Sequence, residues 1–273
     1  MDKNRGVSMA KIFYYVNTGH RVGLDRFRRA SAIMHHLKEA DITLLTNDFR
    51  IASQAKAYHF RKAVGVDVLR NITNIAQRGD KLIYDSPEHN PAMYADMQSF
   101  FAPLLPIEED LVAVDEVFET PVTHSDEVVL FFGDDDYEKD LLRLAKESQL
   151  GDVAILLGFY YFLECEEELA PWCKKIYEEE SYIDAIKGAR LLITMSFQAA
   201  LEAAIAGTKV VYMQRVDYPE HYAQTLSALG ISVVPYAPIT QKQVQEWSEN
   251  LSHINITNGA KNAAEYLKKS LLI

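Results

Sequence analysis

Two segments of the chain carry residues whose types and order suit a negatively charged ligand. The first, Asn17 to Arg29 (NTGHRVGLDRFRR), follows a short apolar run and contains Gly19 and Gly23. Glycine lets a backbone approach a ligand closely, and the helix predicted to follow presents unpaired N–H groups that suit an anion. Arg26 and Arg29 stand in the first turns of that helix, where acidic residues are usual, which favours a negative ligand. The alternative is a basic helix face in contact with solvent.

The second segment, Leu191 to Val211, has the pattern of a strand, a helix of small residues that ends at Gly207, and a second strand. Glu202 interrupts the otherwise apolar helix. A carboxylate there can accept hydrogen bonds from a ribose diol, while Ser196, Gln198 and the helix N-terminus can meet a diphosphate. The alternative is a glutamate on a helix surface that binds no ligand.

Hydrophobic periodicity predicts the elements that position these segments, an alternation of strands and helices along most of the chain. The predicted strands are 11–16, 42–45, 66–69, 81–84, 128–132, 153–157, 191–194, 209–213 and 233–234. The predicted helices are 24–38, 49–59, 71–78, 137–147, 181–188, 198–206, 220–229, 241–251 and 258–271. Such alternation is typical of parallel sheets covered by helices on both faces.

The length of 273 residues leaves room for two domains of ~150 residues each. An acidic stretch from Glu108 to Asp126, which contains Pro121, lacks periodicity and is interpreted as the crossing between them. We therefore predict an α/β protein with two Rossmann-like domains, 1–120 and 121–273, whose parallel sheets face a cleft. Ligands of such sheets bind beyond the carboxyl ends of the strands. Both segments described above follow a predicted strand directly.

Composition and charge argue against several classes of protein. Apolar residues make up 48% and charged residues 25% of the chain, the balance of a soluble globular protein. The longest apolar run, 153–163, has 11 residues, whereas a membrane-spanning helix requires about 20. The net charge is −11, with 15 basic and 10 acidic residues in the first hundred positions and 13 and 29 in the rest. This balance argues against nucleic acid as a partner, although a local basic patch remains near the N-terminus.

Motif patterns argue against further classes of protein. The chain has no Gly-x-Gly-x-x-Gly fingerprint and no Walker phosphate loop, so an ordinary dinucleotide dehydrogenase or P-loop enzyme is disfavoured. Its start has no apolar stretch of the secretory type, and Cys165 and Cys173 lack a Cys/His partner set. We expect a cytoplasmic protein without disulfide, zinc or other metal, and without a cofactor. Asp134 to Asp136 is interpreted as a turn and N-cap before helix 137–147, and the alternative is a divalent-cation site.

These segments resemble a known family. From Lys11 through Arg29 the chain is similar to the opening of the nucleotide-sugar hydrolases of pseudaminic acid synthesis, which resemble MurG-type glycosyltransferases and share their GT-B fold. The family has Gly-x-Gly-His-x-x-Arg in this loop. Gly23 and Arg29 match that pattern, but Asp25 stands at the second glycine and Arg26 at the histidine.

The resemblance extends along the chain in the same order. Residues 191–211 are similar to the family's second signature, a strand followed by small polar residues and a helix with Glu. Val128 to Asp135 (VVLFFGDD) is similar to the strand and turn that open its C-terminal half, where Gly133 is the one glycine kept. Tyr218 to Gly230 resembles its next helix, with Gln224 in the place of a Gln or Asn.

The resemblance implies a function for these residues. The two halves would enclose a UDP-sugar, the C-terminal half holding the nucleotide and the N-terminal half the acceptor and catalytic groups. Glu202 would bind the ribose, and Ser196 and Gln198 would lie near the diphosphate. The substrate-binding set implied by the matches is Gly23, Arg26, Arg29, Gly133, Ser196, Gln198, Glu202 and Gln224.

The family histidine acts as a base, and Arg26 cannot replace it, since a guanidinium with a pKa above about 12 stays protonated. His20 in the same loop, Asp25 beside it and Asp85 at a strand end are the candidate bases. His20 also has a plain alternative, a loop histidine bonded to the backbone. Two functions follow: an enzyme of glycosyl transfer or hydrolysis, or a non-catalytic homologue that binds a sugar nucleotide.

Overall fold

The computed structural model describes residues 10–67, 69–88, 90–161 and 166–273. Its contacts divide the chain into two compact units. Unit 1 comprises the chain up to Asn17, Met34–Glu109 and Asn262–Ile273, and unit 2 comprises Thr18–Ile33 and Asp110–Lys261. Each unit is built on a parallel sheet, which confirms the predicted fold class. Which unit takes the nucleotide and which the acceptor stays a prediction.

Unit 1 contains a five-stranded sheet in the order β3-β2-β1-β4-β5. Its strands are β1 (Ile12–Val16), β2 (Ile42–Thr46), β3 (Lys62–Gly65), β4 (Lys81–Asp85) and β5 (Leu104–Pro106). Every pairing is parallel, and Ile12 at the start of β1 lies opposite Ile42 on one side and Lys81 on the other. The sheet therefore directs the carboxyl ends of all five strands to one edge.

Unit 2 contains a six-stranded sheet in the order β11-β10-β9-β6-β7-β8, also parallel throughout. Its strands are β6 (Val128–Phe131), β7 (Val153–Leu156), β8 (Lys175–Tyr177), β9 (Leu191–Thr194), β10 (Lys209–Gln214) and β11 (Ser232–Pro235). The chain winds outward from β6 to β8 and then restarts at β9 on the other side of β6. The carboxyl ends of β6 and β9 therefore form the point where the winding direction changes.

Helices connect the strands in both units. They are α1 (Asp25–His35), α2 (Phe49–Gln54), α3 (Pro91–Phe100), α4 (Asp140–Ser148), α5 (Glu166–Leu169), α6 (Tyr182–Gly188), α7 (Phe197–Ile205), α8 (Glu220–Ala228), α9 (Gln241–Asn250) and α10 (Ala260–Leu271). Short 3₁₀ helices occupy Ala55–Tyr58, Leu69–Asn74, Glu116–Glu119, Ala170–Trp172 and Glu179–Ser181. Among the described residues, no helix combines the length and apolar character that crossing a membrane requires.

Both faces of the unit 2 sheet are buried, as parallel sheets require. Along β6, Val129 and Phe131 belong to one apolar cluster and Val128 and Leu130 to the other. The first cluster also contains the alanines of α7, whose small side chains let this helix lie close to the strands. The loop that leads into α7 is therefore held against a rigid sheet.

Several elements differ from the sequence prediction. The third strand is Lys62–Gly65 rather than 66–69, because the edge strand alternates exposed and half-buried residues and so lacks an apolar run. Helix α3 was not predicted, although Asn90 caps it by accepting a bond from the Met93 amide at 3.1 Å. The strands β5 and β8, of three residues each, were also missed because they are too short to show periodicity. Cys173 is a free thiol, and Cys165 lies outside the described residues.

Candidate functional site

The candidate site lies at the carboxyl edge of the unit 2 sheet, where the winding changes direction between β6 and β9. Open α/β sheets bind ligands at such a point. The turn after β6 and the start of α7 both lie at this edge. The segment Thr18–Ile33, which includes the loop after β1 and most of α1, belongs to the same unit. Both segments singled out from the sequence are thus parts of one compact body.

The N-terminus of α7 is organised by Ser196. Its hydroxyl accepts a hydrogen bond from the Ala199 amide at 3.0 Å, which is a standard N-cap. The Ser196 amide in turn donates to the Thr194 hydroxyl at 3.0 Å. A serine after a buried strand and before an alanine-rich helix is a strong start signal, so this local structure follows from the sequence.

Asp25, the first residue of α1, contacts this helix N-terminus. Its Oδ1 accepts a hydrogen bond from the Ser196 hydroxyl at 2.6 Å, and its Oδ2 accepts one from the backbone amide of Gln198 at 3.2 Å. A carboxylate is stabilised at a helix N-terminus by the helix dipole. Burial raises the pKa of the Asp25 carboxyl, while the bond from Ser196 and the charge of Arg28 oppose the rise. Two groups predicted to meet a phosphate therefore hold a carboxylate of the chain itself.

Arg28, three residues after Asp25, forms a two-point ion pair with Asp134 in the turn after β6. Its Nη2 donates to Asp134 Oδ1 at 3.1 Å, and its Nη1 donates to Oδ2. Its guanidinium carbon also lies 3.7 Å from the centroid of the Tyr182 ring. Burial alone would lower the pKa of Arg28, but the charge and hydrogen bond of Asp134 together with Tyr182 and Glu202 outweigh it, and the pKa rises. This pair fixes the first turn of α1 in unit 2.

Glu202 points inward from α7 and is 1% exposed. Its Oε2 accepts a bond from the Tyr182 hydroxyl at 2.6 Å, and its Oε1 accepts one from the Gln198 side-chain amide at 2.9 Å. Burial raises the pKa of Glu202 to about 7, against the opposing charge of Arg28. Because both oxygens already have donors, a ribose diol would have to replace Tyr182 or Gln198. The ribose role of Glu202 stays a prediction.

Asp135 pairs with Arg215, which follows β10. The Arg215 Nη1 donates to Asp135 Oδ2 at 2.9 Å, and its other nitrogens bind Asp217 at 3.0 and 2.5 Å. The guanidinium lies between Phe132 and Tyr218, 4.7 and 4.5 Å from their ring centroids. Burial raises the pKa of Asp135 to about 6 even though Arg215 opposes the rise.

The rest of this turn is structural. Gly133 has φ of +134°, and a Cβ there would lie 2.8 Å from the Asp135 carboxylate. Asp136 accepts bonds from the Asp140 and Leu141 amides at 2.7 and 3.2 Å. Asp136 therefore satisfies the first amides of α4, but the helix begins at Asp140 rather than at 137, and Lys139 rather than an aspartate occupies its N-cap position.

The loop after β1 brings Gly23 to the same turn. Gly23 has φ of +78°, and a Cβ there would lie 3.6 Å from the Asp135 Cβ. The loop is closed by the Gly23 amide, which donates to the Gly19 carbonyl at 2.8 Å. His20, at the exposed tip, lies 4.8 Å from the ring of Tyr137, centroid to centroid.

The other predicted site residues occupy different positions. Arg26 donates from Nη2 to the Tyr222 hydroxyl on α8 at 3.3 Å. Arg29 is 3% exposed, so it does not belong to a solvated helix face. Gln224 is exposed on α8, where it makes no contribution to the cluster around Asp25. Asp85 ends β4 in unit 1, is buried, and accepts a bond from the Asn17 amide through its carbonyl at 3.1 Å.

Within unit 2 the structure thus brings Asp25, Ser196, Gln198 and Glu202 into one hydrogen-bonded network. Sequence reasoning missed Tyr182, which donates to Glu202, and Arg28, whose guanidinium lies over the Tyr182 ring. It also missed Arg215, which pairs with Asp135 in the turn after β6. Arg28 carried a signal, because residues three apart on a helix lie on the same side and Asp25 had already been singled out. Tyr182 and Arg215 had no local signal, since their partners are distant in the chain.

The fold is similar to those of solved sugar-nucleotide enzymes. A UDP-GlcNAc 2-epimerase from Methanocaldococcus jannaschii, in complex with UDP-GlcNAc and UDP, matches with a TM-score of 0.56 and 8% identity over 95% of this chain and 99% of that chain. The glycotransferase of kitacinnamycin matches with a TM-score of 0.55 and 11% identity, over 97% of this chain and 95% of that chain. The glycosyltransferase SnogD from Streptomyces nogalater matches with a TM-score of 0.54 and 12% identity, over the same shares of the two chains. This chain has the GT-B fold.

The GT-B fold is the one implied by the resemblance in the sequence, so that expectation is confirmed. No protein-family model and no curated protein sequence matches the chain. At identities of 8 to 12%, the likeness establishes the fold and not the activity.

Proposed function

We propose that this chain acts on a nucleotide-activated sugar, UDP-linked, by glycosyl transfer or hydrolysis. The observation that carries the proposal is that the segment after β1 contacts the N-terminus of α7 within unit 2. This contact lies at the edge of the sheet where open α/β sheets bind ligands. The fold supports the proposal as well, because it is shared over nearly the whole chain with glycosyltransferases and with an epimerase solved with UDP-GlcNAc and UDP.

Binding in this proposal uses donors at the α7 N-terminus. The Ser196 hydroxyl and the Gln198 amide would donate to phosphate oxygens in place of Asp25, and the helix dipole would favour their charge. Arg26, at the start of α1, would supply a further cation. Glu202 would bind the ribose hydroxyls by exchanging one of its present donors.

The chemistry in this proposal is displacement at the anomeric carbon. A base takes a proton from water or from an acceptor hydroxyl, the freed oxygen attacks the anomeric carbon, and the bond to the nucleoside diphosphate breaks with its electrons on the phosphate oxygen. Arg26 stays protonated and cannot be the base. His20 has an exposed ring on the loop near the site, and an imidazole can accept and release a proton at neutral pH, which suits the role. Asp25 and Asp85 are the other candidates.

A second function, a non-catalytic protein that binds a sugar nucleotide, is favoured by two specific observations. The position of the family histidine holds Arg26, whose guanidinium is bonded to the Tyr222 hydroxyl. The carboxylate of Asp25 is bonded to two groups that would otherwise meet a phosphate. Both are departures from the family pattern within one turn of helix.

Turnover of a panel of UDP- and CMP-sugars, followed by release of nucleotide or sugar, tests the proposal. Thermal unfolding with each nucleotide is the parallel binding measurement, since a ligand at 100 times its dissociation constant adds about 2.7 kcal/mol to stability. Turnover of any member supports the enzyme. A thermal shift without turnover supports the binding protein, and neither turnover nor a shift with any member contradicts both functions.

A further inference from the structure

The contacts of Asp25 have a chemical consequence for the ligand. A phosphate at the start of α7 would be bound by a hydroxyl and an N–H donor, and these are the groups that Asp25 now holds, at 2.6 and 3.2 Å. A carboxylate and a phosphate oxygen are alike in being anionic acceptors. They cannot occupy the same donors at once.

The charges around Asp25 add to this competition. The side chains of Asp134, Asp135 and Glu202 are almost fully buried in the same unit, which places three further carboxyl groups near the edge. Two of the nearby guanidinium groups are already paired with carboxylates, Arg28 with Asp134 and Arg215 with Asp135 and Asp217. Two negative charges that lie close together repel each other strongly where burial excludes most of the water that would screen them. A diphosphate that entered beside an ionised Asp25 would therefore meet repulsion.

A buried polar atom shows that the protein does not satisfy this edge completely. The hydroxyl of Tyr212 has no hydrogen-bond partner among the described residues, and Tyr212 lies opposite Thr194 in the pairing of β10 with β9, two residues before Ser196. After burial, the charge of Asp25 is the next contribution that raises the pKa of Tyr212. Buried polar groups are rarely left unpaired, so this hydroxyl marks a place where a ligand group belongs. Tyr212 offers a donor for an acceptor group that enters at this edge.

We infer that Asp25 is an internal competitor for the phosphate of the ligand and so determines how much negative charge the α7 N-terminus accepts. In the chain as it stands, a diphosphate gains the Ser196 and Gln198 donors only by displacing the Asp25 carboxylate. A neutral nucleoside has no such requirement. This inference deepens the proposed function and rests on it for the identity of the ligand, but competition for the anion itself is a property of these residues alone.

The test compares Asp25→Asn and Asp25→Gly with the unsubstituted protein by calorimetric titration with inorganic pyrophosphate, UDP and uridine. Asparagine keeps the shape and one acceptor oxygen without the charge, and glycine empties the position. Asp152→Asn is the matched control, because it removes the same charge from an exposed site of unit 2. We expect pyrophosphate and UDP to bind about tenfold or more tightly in both Asp25 variants, a difference of about 1.4 kcal/mol. Uridine affinity, and every affinity of the Asp152 variant, should stay unchanged.

The outcomes separate this inference from the proposed function. Tighter pyrophosphate binding without any binding of UDP would leave the competition standing and contradict the nucleotide-sugar function. Equal UDP binding by all four proteins would support the function and overturn the competition. Unchanged or weaker anion binding by folded Asp25→Asn would reduce Asp25 to a structural cap, and this variant decides the matter if Asp25→Gly fails to fold. The absence of pyrophosphate binding by every protein also overturns the inference.

Discussion

The carboxylate of Asp25 accepts a 2.6 Å hydrogen bond from the hydroxyl of Ser196, a residue 171 positions later in the chain. The same hydroxyl caps α7 by accepting a bond from its third amide. One serine therefore joins the first turn of α1 to the first turn of α7.

Glu202 should make the stability of the protein depend on pH. Its pKa is about 7 in the folded chain against an ordinary value of 4.5, so the folded state binds the proton more tightly than the unfolded state. The contribution of this carboxyl group to the free energy of unfolding is fully present below about pH 4.5. It is lost as pH rises through about 7, and the loss is on the order of 3 kcal/mol. Glu202→Gln cannot ionise and should remove this loss. Urea unfolding at about pH 5 and about pH 8 measures the difference between the two proteins.

The matched control for Glu202 is Glu147→Gln, which changes an exposed glutamate of α4. It should leave the pH dependence as it is. A Glu202→Gln protein whose stability falls between the two pH values as steeply as that of the unsubstituted chain would contradict the assignment.

The pair of Arg28 and Asp134 should be essential for the fold of unit 2. Arg28→Met leaves a carboxylate buried without its cation, and losses of about 3–5 kcal/mol are usual for such a change. Adding Asp134→Asn should recover part of the loss, because the buried charge is then removed as well. Thermal or chemical unfolding of the single and double variants gives the coupling energy.

An exposed pair in the same unit provides the comparison. Arg143 and Asp140 lie 2.5 Å apart, but Arg143 is 60% exposed, so Arg143→Met should cost far less stability than Arg28→Met. Similar losses of stability for Arg28→Met and Arg143→Met would show that burial does not make the pair of Arg28 and Asp134 more important for stability than the exposed pair.

Arg26 should contribute charge to ligand binding. Arg26→Ala is expected to weaken UDP binding and to flatten its salt dependence, since salt screens the interaction that is removed. Titrations at low and high salt measure both effects. Arg190→Ala, an exposed arginine that precedes β9 and so lies at the opposite edge of the sheet, should retain the affinity and slope of the unsubstituted protein. Identical curves for Arg26→Ala and the unsubstituted chain would limit Arg26 to its structural bond with Tyr222.

His20 should be required for turnover if the chain is an enzyme. His20→Ala is expected to lower the turnover number by about 10²–10⁴-fold, the usual contribution of a general base, with little change in nucleotide affinity. His124→Ala is the control, because His124 is bonded to the Ala189 carbonyl just before β9, away from the carboxyl edge. Turnover within a factor of about three in His20→Ala would exclude His20 as the base.

Much of the fold could be predicted because its signals are local. Buried strands such as β1 and β9 are continuous apolar runs. Ser196 before α7 and Gly207 after it are typical start and end signals of a helix. The strands that escaped prediction, β3, β5 and β8, lie at or next to sheet edges, where one side faces solvent and the apolar pattern is diluted. The edge strand β11 was nevertheless predicted, because its Val233-Val234 pair keeps an apolar signal.

The candidate site divides in the same way. The sequence by itself singled out Asp25, Ser196, Gln198 and Glu202, since polar residues after strands and in apolar helices stand out from their neighbours. Only the tertiary structure decided what these groups do to each other: Asp25 is bonded to the α7 N-terminus, Glu202 is turned inward to Tyr182, and Arg28 is paired with Asp134. The physical reason is that hydrogen bonds and ion pairs depend on distances between atoms far apart in the chain, and the packing of α1 and α7 in unit 2 sets those distances.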